Sequence, residues 1–400
     1  MLTRLLATAL LACLALQAAA NETRRFRSAA YDITTDLPQE QAKEVADHMD
    51  AVYQEYSRRF AAYGKRNAEP LRLWVFATRE GYLEFLAGHD INGFGTGGMF
   101  FRRDDASGLV SFLGNRSQDD MLETLRHEGM HQVAYQRIGD TLPVWLNEGM
   151  AEWFGYAIPS RRGFVMGLAD PRAVARLQAA SERNTLLPLA DLLRMEQADW
   201  NQRVQTGQAG SNYDQAWSVV HFLANAEGGR HQNILSTLLH AYWSGKNHDQ
   251  AIKAAFGTDL APMESAWKAY VASLRADELY EAQDIIGVYR VLLEALDAAG
   301  SQPADAAELD AALAAHADRL VLPETVPVVN GERPLAIDAQ AWWRTPPVSA
   351  RTGRPAVIRF IPDRRGRLPA GVEIRGLNHL VSLGWSRDRD GVLTHRIVID

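Results

Sequence analysis

Apolar side chains recur every three or four positions over residues 39–63, which predicts a long amphipathic helix. Short apolar runs between turn-forming residues predict strands in the same part of the chain. These predicted strands cover residues 25–35, 71–76 and 109–113. A further helix is predicted over 79–86, and most of 187–274 shows helical spacing. The pattern predicts an α+β fold in which a mixed N-terminal sheet with helices precedes a helical lobe.

The pattern changes in the last third of the chain. Residues 276–320 are alanine-rich with helical spacing, and we expect them to link two domains. Short alternating runs follow, and Asp390-Gly391 is typical of a hairpin turn, so a small β-rich C-terminal unit is predicted over 321–400. Six arginines between Arg351 and Arg367 form either a solvated face or a site for an anionic polymer such as a cell-wall glycan.

The first twenty residues have the features of a secretory signal. A basic start precedes an apolar run from Leu5 to Leu16, and Ala18-Ala19-Ala20 supplies a cleavage site. We therefore expect an exported protein, periplasmic or secreted, that begins at Asn21. The alternative is a lipoprotein anchored through Cys13. No stretch reaches the roughly 18 apolar residues of a transmembrane helix, so no membrane span is expected.

Composition and charge narrow the classes of function. A chain of 400 residues has room for one large or two smaller domains. Its net charge is −7, and it becomes more negative when the leader and its Arg4 are removed, which offers no positive field for nucleic acid. The single cysteine, Cys13, lies in the leader, so we expect neither disulfides nor thiol chemistry in the mature chain.

The strongest chemical signal is His127-Glu128-Gly129-Met130-His131, an H-E-x-x-H pattern. Ser117 is suited to cap the start of the surrounding helix and Gly139 to end it. Two histidines four positions apart on a helix point the same way and can bind one metal ion, and the glutamate between them can act as general base. A core helix with two satisfied histidines is the alternative, which the paired spacing disfavours.

A catalytic zinc ion takes three protein ligands, and the next predicted helix offers the third. This helix covers residues 142–154 and carries Glu148 and Glu152 on one face among large apolar side chains. An unpaired carboxylate in such surroundings is costly, which favours a paired and buried role. The residues alone leave either glutamate as the ligand.

A resemblance to a known family bears on this choice. Trp145-Leu146-Asn147-Glu148-Gly149-Met150-Ala151 resembles the W-L-N-E-G-F-A signature of the gluzincin metallopeptidases, best known from relatives of aminopeptidase N. The resemblance implies one Zn²⁺ ion held by His127, His131 and Glu148, with Glu128 as general base. It also implies that Glu152 orients a zinc-bound histidine without being a ligand. The interval between His131 and Glu148 is shorter than in aminopeptidase relatives, so Glu152 stays an alternative ligand. Manganese and cobalt also suit these ligand types.

Two further segments resemble parts of the same family. The segment from Tyr213 to Leu223 is similar to a helix whose tyrosine stabilises the oxyanion, which implies that catalytic role for Tyr213. A tyrosine that caps the core is the alternative. Phe100 stands where aminopeptidases of the family carry the glutamate that binds the substrate's amine, so the resemblance argues against aminopeptidase activity. The strand at 109–113 is expected to be the edge along which an extended peptide pairs.

The whole arrangement most resembles exported bacterial proteins with a peptidase-MA-like domain, over roughly residues 30–275. The expected division is a signal peptide at 1–20, a metallopeptidase domain at 21–275, a helical linker at 276–320 and the β-rich unit at 321–400. The function implied is zinc-dependent hydrolysis of peptide bonds, by an endopeptidase acting on peptide or protein substrates. The alternative is a non-catalytic protein on the same scaffold that binds a peptide or the cell wall. Association with the cell envelope is compatible with either.

Overall fold

The structure is a computed structural model that describes residues 23–64, 71–103, 106–329 and 331–400. The predicted signal peptide, with Cys13 and the cleavage site, lies outside the described residues. Within the described part of the chain, no helix combines the length and the apolar character needed to cross a membrane. The chain divides into two compact units, one built from residues up to 157 together with 183–271, the other from 158–182 together with 272–400.

Helices and strands are numbered in chain order. The strands are β1 (Arg24–Arg27), β2 (Tyr31–Thr35), β3 (Leu71–Phe76), β4 (Gly98–Arg102), β5 (Ser107–Phe112), β6 (Ile158–Ser160), β7 (Gly163–Val165), β8 (Thr325–Val328), β9 (Gly331–Pro334), β10 (Val357–Ile361), β11 (Gly371–Arg375), β12 (Val381–Arg387) and β13 (Leu393–Ile399). The helices are α1 (Gln39–Arg59), α2 (Arg79–Ala87), α3 (Gln118–Arg137), α4 (Val144–Gly155), α5 (Pro171–Glu182), α6 (Leu189–Leu193), α7 (Gln197–Arg203), α8 (Ala209–Asn225), α9 (Gln232–Trp243), α10 (His248–Phe256), α11 (Ala261–Ser273), α12 (Glu278–Ala298) and α13 (Ala306–His316). This order confirms the predicted α+β class, with a mixed sheet first, a helical middle and an antiparallel sheet at the end.

The sheet of the first unit has the strand order β1-β2-β3-β5-β4. Strands β2, β3 and β5 run parallel, and β1 and β4 pair antiparallel with their neighbours. The predicted single strand at 25–35 is two strands, because Ser28 to Ala30 form a turn held by the Asp50 carboxylate.

The prediction that residues 109–113 form the edge of this sheet is wrong. Strand β5 lies between β3 and β4, and β4 is the terminal strand of the sheet. The side chains from Gly108 to Phe112 are all buried, which is the pattern of a strand covered on both faces. A continuously buried run is therefore the signature of an interior strand, and the open edge belongs to the shorter, less buried β4.

Four helices of the first unit pack closely in two pairs. The side chain of Ser117 caps α3 by accepting a hydrogen bond from the Asp120 amide at 3.1 Å, as predicted. A Cβ at Gly129 of α3 would lie 2.8 Å from the Tyr56 hydroxyl of α1, and one at Gly149 of α4 would lie 2.4 Å from the Ala216 carbonyl of α8. Glycine at these two positions therefore lets α1 pack on α3 and α4 pack on α8, which sets the distances at the candidate site.

The second unit has its own core. Strands β10 to β13 form an antiparallel sheet in chain order, and its buried side chains pack with those of α12 in one apolar cluster. Residues 276–320, expected to form a helical linker, are helical over α12 and α13, and α12 is part of this core. The domain boundaries expected from the sequence stay a prediction.

Candidate metal centre

Three donor atoms converge between α3 and α4 in the first unit. The Nε2 atoms of His127 and His131 lie 3.2 Å apart, and Oε2 of Glu148 lies 3.4 Å from each of them. Helical spacing places the two imidazoles on one side of α3, and the return of α4 brings Glu148 opposite them. Within the described part of the chain, these residues form the one histidine and carboxylate group arranged to hold a metal ion.

The spacing of these three donor atoms fits a metal ion with tetrahedral coordination. Ligand atoms bound at about 2.0–2.1 Å with tetrahedral angles lie about 3.3 Å from one another. The triangle formed by His127, His131 and Glu148 has edges of 3.2, 3.4 and 3.4 Å. Oε2 of Glu148 is buried without a hydrogen-bond partner. A buried carboxylate oxygen facing two imidazole nitrogens is a donor set suited to zinc.

Glu152 approaches the other nitrogen of His127. Its Oε1 lies 3.3 Å from Nδ1, one helical turn beyond Glu148. A hydrogen bond from Nδ1 to a carboxylate keeps the proton on that nitrogen and leaves the Nε2 lone pair directed toward the ligand triangle. The geometry therefore brings together all four residues that the sequence singled out around the metal, and it gives the two glutamates different positions.

The charges of this cluster are strongly coupled. Burial alone would lower the pKa of His127, but Glu148 and Glu152 outweigh it and hold that pKa well above its usual value. Burial also acts to lower the pKa of His131, and Glu148 reverses the effect. Burial acts to raise the pKa of Glu148, yet the two histidines hold it well below its usual range. Because protons and a metal ion compete for the same Nε2 atoms, metal binding is accompanied by release of protons.

The carboxylate of Glu128 is held by the edge strand. Its Oε2 accepts a hydrogen bond of 2.7 Å from the backbone N–H of Phe100 on β4. The sequence drew attention to Phe100 only through its side chain, because a backbone donor has no sequence signature. This bond holds one oxygen of Glu128, which lines the same cavity as His127, His131 and Glu148.

Tyr213 of α8 lies close to His127 of the ligand triangle. Its ring centroid lies 6.2 Å from that of His127, and the Trp200 ring packs edge-on against it at 5.2 Å. Burial, followed by the charge of Glu148, raises the pKa of Tyr213 far above neutrality, so its hydroxyl keeps its proton and can donate a hydrogen bond. Sequence reasoning did not foresee Trp200, which lies thirteen positions earlier on a separate helix.

The donor atoms and Tyr213 open into a cavity of about 370 Å³. Its lining includes residues to which the sequence alone assigned no role in the site: Arg102, Tyr135, Asp140, Asn147 and Gln197. One of these had a signal in the sequence. Arg102 stands two positions after Phe100, and alternate residues of a strand share a face.

Comparison with known proteins finds a similarity in the same region. The family model described as the Peptidase MA superfamily matches residues 112–273. No curated protein matches the chain. The matched segment contains α3, α4 and α8 and with them His127, Glu128, His131, Glu148, Glu152 and Tyr213. The part of the chain that forms the candidate metal centre is thus similar to the Peptidase MA superfamily.

Proposed function

We propose that this protein is a zinc-dependent endopeptidase that hydrolyses peptide bonds in peptide or protein substrates. The observation that carries the proposal is the triangle of His127, His131 and Glu148 beside the held carboxylate of Glu128. The match to the Peptidase MA superfamily over residues 112–273 supports the same class of activity. Zinc is proposed in preference to other divalent ions because two imidazoles and one carboxylate form its usual catalytic ligand set.

The chain's own residues supply the acid–base chemistry. His127, His131 and Glu148 would hold the ion, and zinc, when bound, supplies a Lewis acid that polarises the scissile carbonyl and activates water near neutral pH. Glu128 removes the proton from the attacking water and passes it to the leaving amine. The Tyr213 hydroxyl donates a hydrogen bond to the oxygen on which negative charge develops.

Endopeptidase rather than aminopeptidase activity is supported because the cavity offers no carboxylate without a partner, among the described residues, to bind a substrate's free amine. Among the described residues that line it, Glu128 accepts from Phe100, Glu148 belongs to the ligand triangle and Asp140 pairs with Arg102. Each carboxylate is therefore engaged, and the Phe100 side chain cannot form an ion pair with a substrate's free amine. An extended peptide can instead lie along β4, whose outer side is unpaired in the described sheet.

We also propose that the protein is exported, to the periplasm or as a secreted enzyme, on the basis of residues 1–20. The lipoprotein anchored through Cys13 is the other outcome. Mass spectrometry of the mature protein distinguishes the two, because cleavage at the signal site gives Asn21 as the first residue. A mature protein that begins with a lipid-modified Cys13 would instead support the lipoprotein.

The activity is tested on the purified mature chain by metal analysis and by cleavage of a peptide library read by mass spectrometry. Glu128→Gln keeps an acceptor for the Phe100 N–H but cannot take a proton, so we expect retained zinc and a loss of turnover of about 100- to 10,000-fold. Asp119→Asn is the matched control, since it removes an exposed carboxylate from the first turn of the same helix.

The outcomes separate the two classes of function. Cleavage by the wild type that Glu128→Gln abolishes and Asp119→Asn preserves supports the peptidase. Stoichiometric zinc without cleavage of any library peptide contradicts it and favours a binding protein on a metallopeptidase scaffold.

A further inference from the structure

A single arginine lies in the wall of the cavity. Arg102 is the only lysine or arginine among the described residues that line it. It belongs to the edge strand β4, two positions from Phe100, so both side chains project from the same face of that strand. Phe100 is the residue whose backbone holds Glu128, which places Arg102 next along the strand from the proposed reaction centre.

The guanidinium of Arg102 is positioned by Tyr135, near the end of α3, and by Asp140, in the turn that follows α3. Its Cζ atom lies 4.3 Å above the ring of Tyr135, and the ring of Tyr135 in turn lies 5.9 Å from that of Phe100. Nη1 forms an ion pair with Asp140. Stacking on an aromatic face restricts the planar guanidinium, and this preorganisation is what distinguishes a recognition arginine from a mobile surface cation.

The ion pair leaves capacity for a second anion. A guanidinium carries five N–H donors, and the contact to Asp140 is made through Nη1. The Arg102 and Asp140 side chains are 41% and 64% exposed, and pairs so open to water are weak. An incoming carboxylate can therefore share Arg102 with Asp140 or displace it, and it gains the bidentate geometry that arginine offers.

We propose that Arg102 recognises a carboxylate of the substrate, so that the protein prefers peptides with an acidic group close to the scissile bond. The group is either an acidic side chain or the free C-terminal carboxylate of a short peptide, since both present the same two oxygens. The inference rests on the proposed peptidase function and adds the substrate class to it. Asp140 then acts as a competitor that occupies Arg102 in the free protein.

The test compares matched peptides that differ only in charge. A peptide cleaved by the wild type is remade with Glu or Gln at each position around the scissile bond, and each version carries a free or an amidated C-terminus. We expect kcat/KM to favour the carboxylate over its amide by about 10-fold or more in one arm of this design. The Glu/Gln arm reports an acidic side chain, and the acid/amide arm reports the C-terminus.

Two variants should shift this preference in opposite directions. Arg102→Gln should bring the carboxylate-to-amide ratio to near one, and Asp140→Asn should raise it several-fold because the competing carboxylate is gone. A purely structural ion pair would make both variants act alike. Arg103→Gln is the control, because Arg103 donates to the carbonyls of His89 and Asp90 and does not line the cavity.

A binding measurement makes the outcome independent of turnover. The same peptides are titrated calorimetrically into the zinc-loaded Glu128→Gln protein with and without Arg102→Gln, and the ratio of Kd values should follow the ratio of kcat/KM. A wild type with ratios near one in both arms, or a ratio that Arg102→Gln leaves unchanged, overturns the inference while the peptidase stands. Arg102-dependent binding without any cleavage overturns the peptidase and supports the carboxylate site.

Discussion

Oε1 of Glu152 lies 3.3 Å from Nδ1 of His127, the imidazole nitrogen that faces away from the ligand triangle. Glu148 reaches the opposite nitrogen of the same ring at 3.4 Å. Two glutamates one helical turn apart therefore lie near the two different nitrogens of one imidazole ring. Glu148 lies on the side of the ligand triangle and Glu152 on the opposite side, although both glutamates lie on one face of α4.

The first prediction compares the two glutamates by the same chemical change. Glu152→Gln should weaken zinc binding by about 10- to 100-fold, because it alters the partner that orients His127. Glu148→Gln should weaken it by more, because it replaces a charged ligand by a neutral amide. Zinc Kd values from chelator competition measure both. A larger loss of zinc affinity with Glu152→Gln than with Glu148→Gln would make Glu152 the ligand and Glu148 the orienting residue.

The second prediction concerns the hydroxyl of Tyr213. Tyr213→Phe removes one hydrogen-bond donor and keeps the ring packed on Trp200, so kcat should fall by about 100- to 1,000-fold while zinc content is retained. Tyr270→Phe is the matched control, since that hydroxyl bonds the buried His221 ring at 2.7 Å and does not line the cavity. Equal effects of the two changes on kcat would argue against an oxyanion role.

The third prediction tests the close approach of α4 to α8. Gly149→Ala would place a Cβ 2.4 Å from the Ala216 carbonyl, so the helices must separate. We expect a loss of about 1–3 kcal/mol in the free energy of unfolding and weaker zinc binding, since Glu148 moves with α4. Gly287→Ala in α12 is the control, and its effect on the free energy of unfolding should have the opposite sign. Its Cβ meets nothing within 4 Å, and it should stabilise by about 0.5–1 kcal/mol. Chemical denaturation measures both, and an unchanged stability for Gly149→Ala would contradict the packing argument.

The fourth prediction is a pH dependence in the second unit. Burial raises the pKa of Asp284 to about 6, partly offset by the Val329 amide and Arg333 and increased by Glu281. Between the ordinary value of 3.8 and about 6, the folded state binds more protons than the unfolded state. Ionisation of Asp284 therefore lowers the free energy of unfolding as the pH rises through that window.

Asp284→Asn removes the ionisation and keeps an oxygen for the Val329 N–H. The variant should be more stable than the wild type at pH 7.5, by about 1–2 kcal/mol given the group's partial exposure. At pH 4 the gain should largely vanish. Melting curves at the two pH values check this against Asp318→Asn, an exposed carboxylate near the end of α13. A gain equal at both pH values would mean that Asp284 does not titrate as described.

Much of the candidate site follows from local patterns. The four-residue spacing of His127 and His131 places both rings on one side of a helix whatever else the chain does. The Ser117 cap is equally local, and it is formed as predicted. The α+β class was also predictable, because apolar periodicity differs between helices and strands. Zinc, peptide hydrolysis and export stay predictions that the experiments above address.

The strand order was beyond the sequence. Apolar runs indicate how deeply a strand is buried but not which strand lies beside it, so they cannot show that β4 and not β5 forms the edge of the sheet. The hydrogen bond from the Phe100 backbone to Glu128 was unpredictable for the same reason, since every residue but proline carries that donor and only the place of β4 at the sheet edge brings this one to Glu128.

By itself, then, the sequence determined the two helices with their histidines and glutamates, because helical spacing sets side-chain direction within a few residues. Only the tertiary structure decided how those groups are used. The packing of α4 on α3 set Glu148 at 3.4 Å from two nitrogens and Glu152 at 3.3 Å from a third. The sheet edge then brought Phe100 and Arg102 into the same cavity. Contacts between elements distant along the chain depend on shape and packing, which local periodicity does not encode.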